Sequence, residues 1–103
     1  MSDCTVIIQD GSLYLSSDVC KRFFDDLHSV VLLRRGEDLC ILPVRHAAAG
    51  GYLLKLRNMA GDRVVHAPDF FRESDFPAHV RTEFSAEWSD MHGALIIPRA
   101  FYM

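Results

Sequence analysis

Cysteine is scarce and badly spaced for a disulfide framework. Cys4, Cys20 and Cys40 are odd in number, and no two form a CxxC pair. They read as reduced thiols of a cytoplasmic protein. No apolar run approaches the ~18 residues that a membrane-spanning helix needs. The N-terminus has no basic stretch followed by an apolar one, so no secretory signal is expected. Positive charge is not in excess: the formal net charge is −3. That argues against nonspecific attraction to nucleic acid or anionic membrane, while leaving room for a local basic patch.

The motifs of catalysis are also missing. His28, His46, His66, His79 and His92 form neither HxxxH nor HxH, and none lies near a cysteine at finger spacing. A zinc site needs about four converging N or S ligands, so no metal is expected. Neither GxxxxGK nor GxGxxG is present, which excludes the common phosphate loops. No Ser or Cys stands in a nucleophile arrangement with a base and an orienter. The chain reads as non-enzymatic and without a cofactor.

What is present is apolar and aromatic. Half of the 103 residues are hydrophobic, with seven Phe, three Tyr and one Trp. That supports a core in a single compact domain over 1–103, although a chain this size buries only roughly 65% of its unfolded surface.

Taken in order, residues 4–15 are two β-rich runs around Asp10-Gly11, a dipeptide suited to a type I′ hairpin turn. Ser16 and Ser17 offer a hydroxyl cap to a helix whose apolar stripe is Val19, Cys20, Phe23, Phe24 and Leu27. Residues 30–44 form a second hairpin with its tip at Gly36-Glu37-Asp38. Its runs are continuously apolar, which predicts cover on both faces. His46 to Gly51 is small and flexible, and joins two halves. Residues 52–66 predict a third hairpin, with Leu54 and Leu56 on a buried face. Pro68 then opens a short helix over 68–74. Residues 79–99 predict a fourth hairpin, followed by an aromatic tail.

Each half thus reads strand-strand-helix-strand-strand, with internal repeats at about 4–46 and 51–99. Leu13-Tyr14 aligns with Val64-Val65, Asp18 with Asp69, Lys21 with Arg72, and Ile41-Leu42-Pro43 with Ile96-Ile97-Pro98. The expected fold is mainly β with two short helices, a pseudo-two-fold β-barrel built from the two repeats. One half alone is too small to bury both faces of its hairpins, and interleaving two removes free strand edges.

The run Arg63-Val64-Val65-His66-Ala67-Pro68-Asp69-Phe70-Phe71-Arg72 resembles the swapped-hairpin fold of the AbrB/MazE family. Having both units in one chain is similar to the MraZ proteins. That resemblance implies DNA binding and transcription regulation, through Lys55, Arg57, Arg63 and Arg72. The first half departs from it: around its turn lie Gln9, Asp10 and Ser12, which carry no positive charge, and of the matching turn and helix positions only Lys21 and Arg22 are basic. The unequal halves favour a different reading, an accessory module that docks a protein partner in a regulatory or assembly role. Phe84 and Trp88, on one face of a strand, are its candidate contact residues, with core packing as the alternative. A homo-oligomer stays open as a further alternative.

Overall fold

A computed structural model describes residues 4–25, 27–45, 51–77 and 80–101. The strands are β1 (Cys4–Gln9), β2 (Ser12–Leu15), β3 (Ser29–Arg35), β4 (Asp38–Val44), β5 (Tyr52–Leu53), β6 (Lys55–Leu56), β7 (Arg63–His66), β8 (Thr82–Ser89) and β9 (Ala94–Ile97). Two short helices, α1 (Ser17–Phe23) and α2 (Pro68–Glu73), complete it. The joining segment at 46–50, and the expectations that fall on Asp26, His79 and the end of the tail, lie outside the described residues.

All the strands belong to one antiparallel sheet in the order β5-β3-β4-β9-β8-β1-β2-β7-β6. Its two ends, β5 and β6, are separated in the chain only by Leu54. The sheet therefore curls into a nearly closed barrel, and the mainly-β barrel with two short helices is the fold observed.

The hairpins interlace. The β1–β2 hairpin lies between β8 and β7, and the β8–β9 hairpin lies between β1 and β4. The β3–β4 hairpin lies between β5 and β9. Exchanging the first four strands for the last five, with β5 and β6 counted as one interrupted strand, returns the same set of neighbours. The pairing is thus two-fold symmetric.

Register fixes which residues are equivalent. Leu13 faces Val65, and Cys40 faces Ile96 between the flanking pairs Leu39–Ile97 and Ile41–Leu95. A two-fold axis through the sheet carries its inner face onto its inner face. Leu13 is then equivalent to Val65, Leu15 to Ala67, Leu39 to Leu95 and Ile41 to Ile97, all eight of them buried. The same operation brings Ile8 onto Leu54 and Leu32 onto Ala86, also buried. The sequence alignment that set Leu13-Tyr14 against Val64-Val65 is one residue out. In a strand, one residue reverses the face, and two consecutive valines hide that error.

Local chemistry explains the elements. Asp10 and Gly11 have φ of 53° and 75°, the left-handed pair that a type I′ turn requires. Ser16 Oγ accepts the Val19 N–H at 3.3 Å and starts α1; Asp18 in its first turn and Lys21 and Arg22 in its last complement the helix dipole. α2 has no side-chain cap of its own and opens on Pro68.

Each helix start is instead met by the hairpin loop of the other half. The Ala67 N–H donates to the Gly11 carbonyl at 2.9 Å. The Ser17 N–H donates to Asp62 Oδ1 at 2.8 Å. Helix ends are shared in the same way. Phe23 at the end of α1 stacks on Trp88 of β8, 5.0 Å between centroids and 6° between planes. Ser74, just after α2, accepts from Arg34 Nη1 of β3 at 3.2 Å. One continuous apolar cluster, running from Val6, Ile8 and Leu13 to Val65, Leu95 and Ile97, fills the interior.

One strand departs from expectation. Leu54 is buried, but Leu56 is 61% exposed. The strand breaks at Leu54, whose N–H donates to the His28 carbonyl and whose carbonyl accepts from Arg63 Nη1. Leu56 pairs with Arg63, the first residue of β7, and so lies at the end of the short strand pair rather than over the core.

Candidate functional site

The continuous apolar runs of β3 and β4 predict cover on both faces, and here the structure differs. Their inner residues Val30, Leu32, Leu39 and Ile41 are buried in the core. Their outer face, among the described residues, is only partly covered: Cys40 at its centre is buried, while its neighbours are half-buried or exposed. One cross-strand row on that face reads Leu33–Cys40–Ile96–Glu87, and beside it Val31 faces Leu42. Leu33 is 45% exposed, and Leu53, opposite Ser29 on β5, is 56% exposed. Val31, Leu42, Val44 and Ile96 are half-buried.

The pseudo-symmetry supplies an internal control. The axis that exchanges Cys40 with Ile96 also exchanges Leu33 with Glu87 and Val31 with Ser85. The same barrel position is therefore apolar in one half and polar in the other. Closing the barrel does not require Val31 and Leu33 to be apolar.

At the tip of this face Arg35 and Asp38 are directly opposed. Arg35 Nη1 donates to His92 Nδ1 at 2.9 Å, and Asp38 Oδ1 accepts the Arg99 N–H at 2.9 Å. A shallow concavity is lined by Arg35, Asp38, Cys40, His92 and Ile96. Burial raises the Cys40 thiol above its ordinary range, outweighing Arg35, so it is protonated near neutral pH. Met91, in the loop that carries His92, is 87% exposed.

The predicted basic residues are not all on one face: Lys55 and Arg57 lie on the outer face around Tyr14, and Arg63 does not. Lys55 is exposed on the outer face, paired with Val64. Arg57 lies over the Tyr14 ring at 4.8 Å, in a concavity also lined by Asp62 and Glu83. Arg63 is half-buried, and one guanidinium nitrogen donates to the Leu54 carbonyl at 3.2 Å. Arg72 is exposed on α2, around a cavity of Asp10, Phe71, Asp75 and Phe76. Arg57 and Arg72 thus each share their hollow with two carboxylates.

The predicted aromatic pair is only partly available. Phe84 is half-buried against the core beside Phe76. Trp88 is half-buried in its stack on Phe23, with its indole N–H donating to Asp90 Oδ1 at 3.0 Å. Arg22 covers the Phe23 ring at 4.9 Å.

His66 is hydrogen-bonded through Nδ1 to Ser12 Oγ at 2.8 Å. Burial pushes the Cys20 thiol up to about 11. Among the described residues no group of three His, Cys, Asp or Glu side chains gathers to hold a metal ion, and no helix is long and apolar enough to cross a membrane. No family model matches this chain, and neither does any curated protein or solved structure.

Sequence reasoning missed the outer face of β3 and β4, although its signal was visible in the unbroken run Val30-Val31-Leu32-Leu33. Only the pairing register shows that half of that run faces outward, where Leu33 is left exposed among the described residues.

Proposed function

We propose that this chain is a small non-enzymatic binding module that docks a protein partner on the outer face of β3 and β4. The observation that carries the reading is the inequality of equivalent positions: Val31 and Leu33 stand where the other half has Ser85 and Glu87. An exposed apolar strip that its own fold does not need is the mark of an interaction surface. The interleaved pairing supports a swapped-hairpin barrel of the AbrB/MazE type. Arg63 faces inward, and Arg57 and Arg72 share their hollows with carboxylates, which favours docking over the DNA-binding alternative.

The test is a variant that transplants the polar residues of the second half, Val31→Ser with Leu33→Glu. A protein that co-purifies in stoichiometric amount with the wild type should be lost from this variant while the fold is kept. An unchanged partner would overturn the reading. A gel shift on duplex DNA whose affinity falls steeply with salt would favour the alternative instead.

A further inference from the structure

We infer that the segment docking on this face carries a carboxylate next to its apolar side chains, and that Arg35 and His92 receive that carboxylate. The inference rests on the docking reading and narrows it to one class of partner, an apolar segment with an acidic residue.

Arg35 lies on the same face as Leu33, two residues further along β3, and it is exposed. An arginine always donates, so its bond to His92 Nδ1 makes that nitrogen the acceptor and puts the ring proton of the neutral imidazole on Nε2. A guanidinium has five N–H donors in a planar fork that matches a carboxylate. The nearby acids are Asp38, directly opposite, Glu37 in the turn, and Asp90 in the loop that carries His92, whose Oδ1 accepts the Trp88 indole N–H. Asp38 Oδ1 is already taken by the Arg99 N–H. Glu87 lies at the far end of the Leu33 row, across β4 and β9. Arg34 is committed elsewhere, to the carbonyls of Gly36 and Ser74 and to the face of Phe101.

The position is again unequal between the halves. The equivalent of Arg35 is Ser89, so the barrel does not require the charge. The loop at Asp90–Gly93 is longer than the turn at Gly36-Glu37 that it mirrors; it brings His92 to Arg35 and leaves Met91, next to His92 in the chain, exposed. Apolar anchors at Leu33, Ile96 and Met91 next to a guanidinium–imidazole pair complement an apolar segment bearing one carboxylate.

The probe is a random peptide display library selected on the immobilised chain, with enriched peptides resynthesised and measured by calorimetry. Enriched peptides should place Asp or Glu beside apolar residues. Changing that acid to its amide should weaken binding roughly tenfold or more, and Arg35→Glu should do the same with little further loss when the two are combined. Circular dichroism and melting of Arg35→Glu should match the wild type.

If the acid-to-amide peptide binds equally well while Val31→Ser with Leu33→Glu abolishes binding, the carboxylate is wrong and the docking reading stands. If that double variant binds every peptide unchanged, or no peptide is recovered, both fail. A concentration-dependent dimer in sedimentation that the double variant abolishes would make a second copy the occupant and overturn the inference.

Discussion

Replacing Gly11 by alanine tests the interlacing at its tightest point. Gly11 has φ +75°, where an ordinary L-residue costs about 1–2 kcal/mol. A Cβ built there falls 2.7 Å from Pro68 Cα and 2.9 Å from Pro68 Cβ, in the other half of the chain. These are the rigid first atoms of α2, so the relief must come from moving the turn away from the helix. Forcing atoms into a packed contact costs about 1–3 kcal/mol. The same movement strains the bond from the Ala67 N–H to the Gly11 carbonyl, worth about 1 kcal/mol. The sum is about 3–6 kcal/mol, a large part of the ~5–15 kcal/mol that stabilises a domain.

Gly36→Ala and Gly93→Ala are the controls. Their φ values are +63° and +59°, and nothing lies within 4 Å of the added carbon, so only the backbone term applies. Gly11→Asn separates the two causes further, because asparagine tolerates the left-handed conformation but keeps the clash. Urea unfolding followed by the fluorescence of the single tryptophan, Trp88, reads all four. If Gly11→Ala were no more destabilising than Gly36→Ala, the turn would not be pressed against the opposite helix and the packing argument would fail.

Three further outcomes follow from the same geometry. Asp62→Ala should lower the melting temperature by uncapping α1, since the carboxylate takes the Ser17 N–H and the Asn58 side-chain amide. The Asn58 and Ser17 bonds hold the Asp62 carboxyl below its usual range, so its contribution is present at neutral pH and fades as the pH falls through the lowered value; the gap between wild type and variant should narrow in acid. Cys20 should resist a thiol reagent at pH 8 in the native state and react once unfolded. Its thiol is pushed from 9.0 to about 11 by burial, so stability should decline as the pH rises across that interval. Phe23→Ala should cost about 1–3 kcal/mol, through lost partial burial and the lost stack on Trp88, and should change the tryptophan emission before any unfolding.

Much of the fold was legible because local chemistry and global pairing agree. Asp10-Gly11 specifies its turn, Ser16 and Pro68 open the two helices, and the apolar runs supply the core. Two things were not legible. The equivalence of Leu13 with Val65 depends on a cross-strand register between distant segments, and Val64-Val65 accommodates either face. The exposure of Leu33 depends on what does not cover it, and an unbroken apolar run looks the same with or without a neighbour. The basic residues show the same dependence on register: Arg63 turns inward, while Lys55 and Arg57, close to it in the chain, lie on the outer face around Tyr14.

Val31 and Leu33 form an apolar strip that the barrel does not need. The direct measurement is the unfolding free energy of the Val31→Ser, Leu33→Glu variant. It should lie within about 1.5 kcal/mol of the wild type, as expected for substitutions at exposed and half-buried strand positions. A loss of about 3 kcal/mol or more would mean that these side chains belong to the core, and would contradict it.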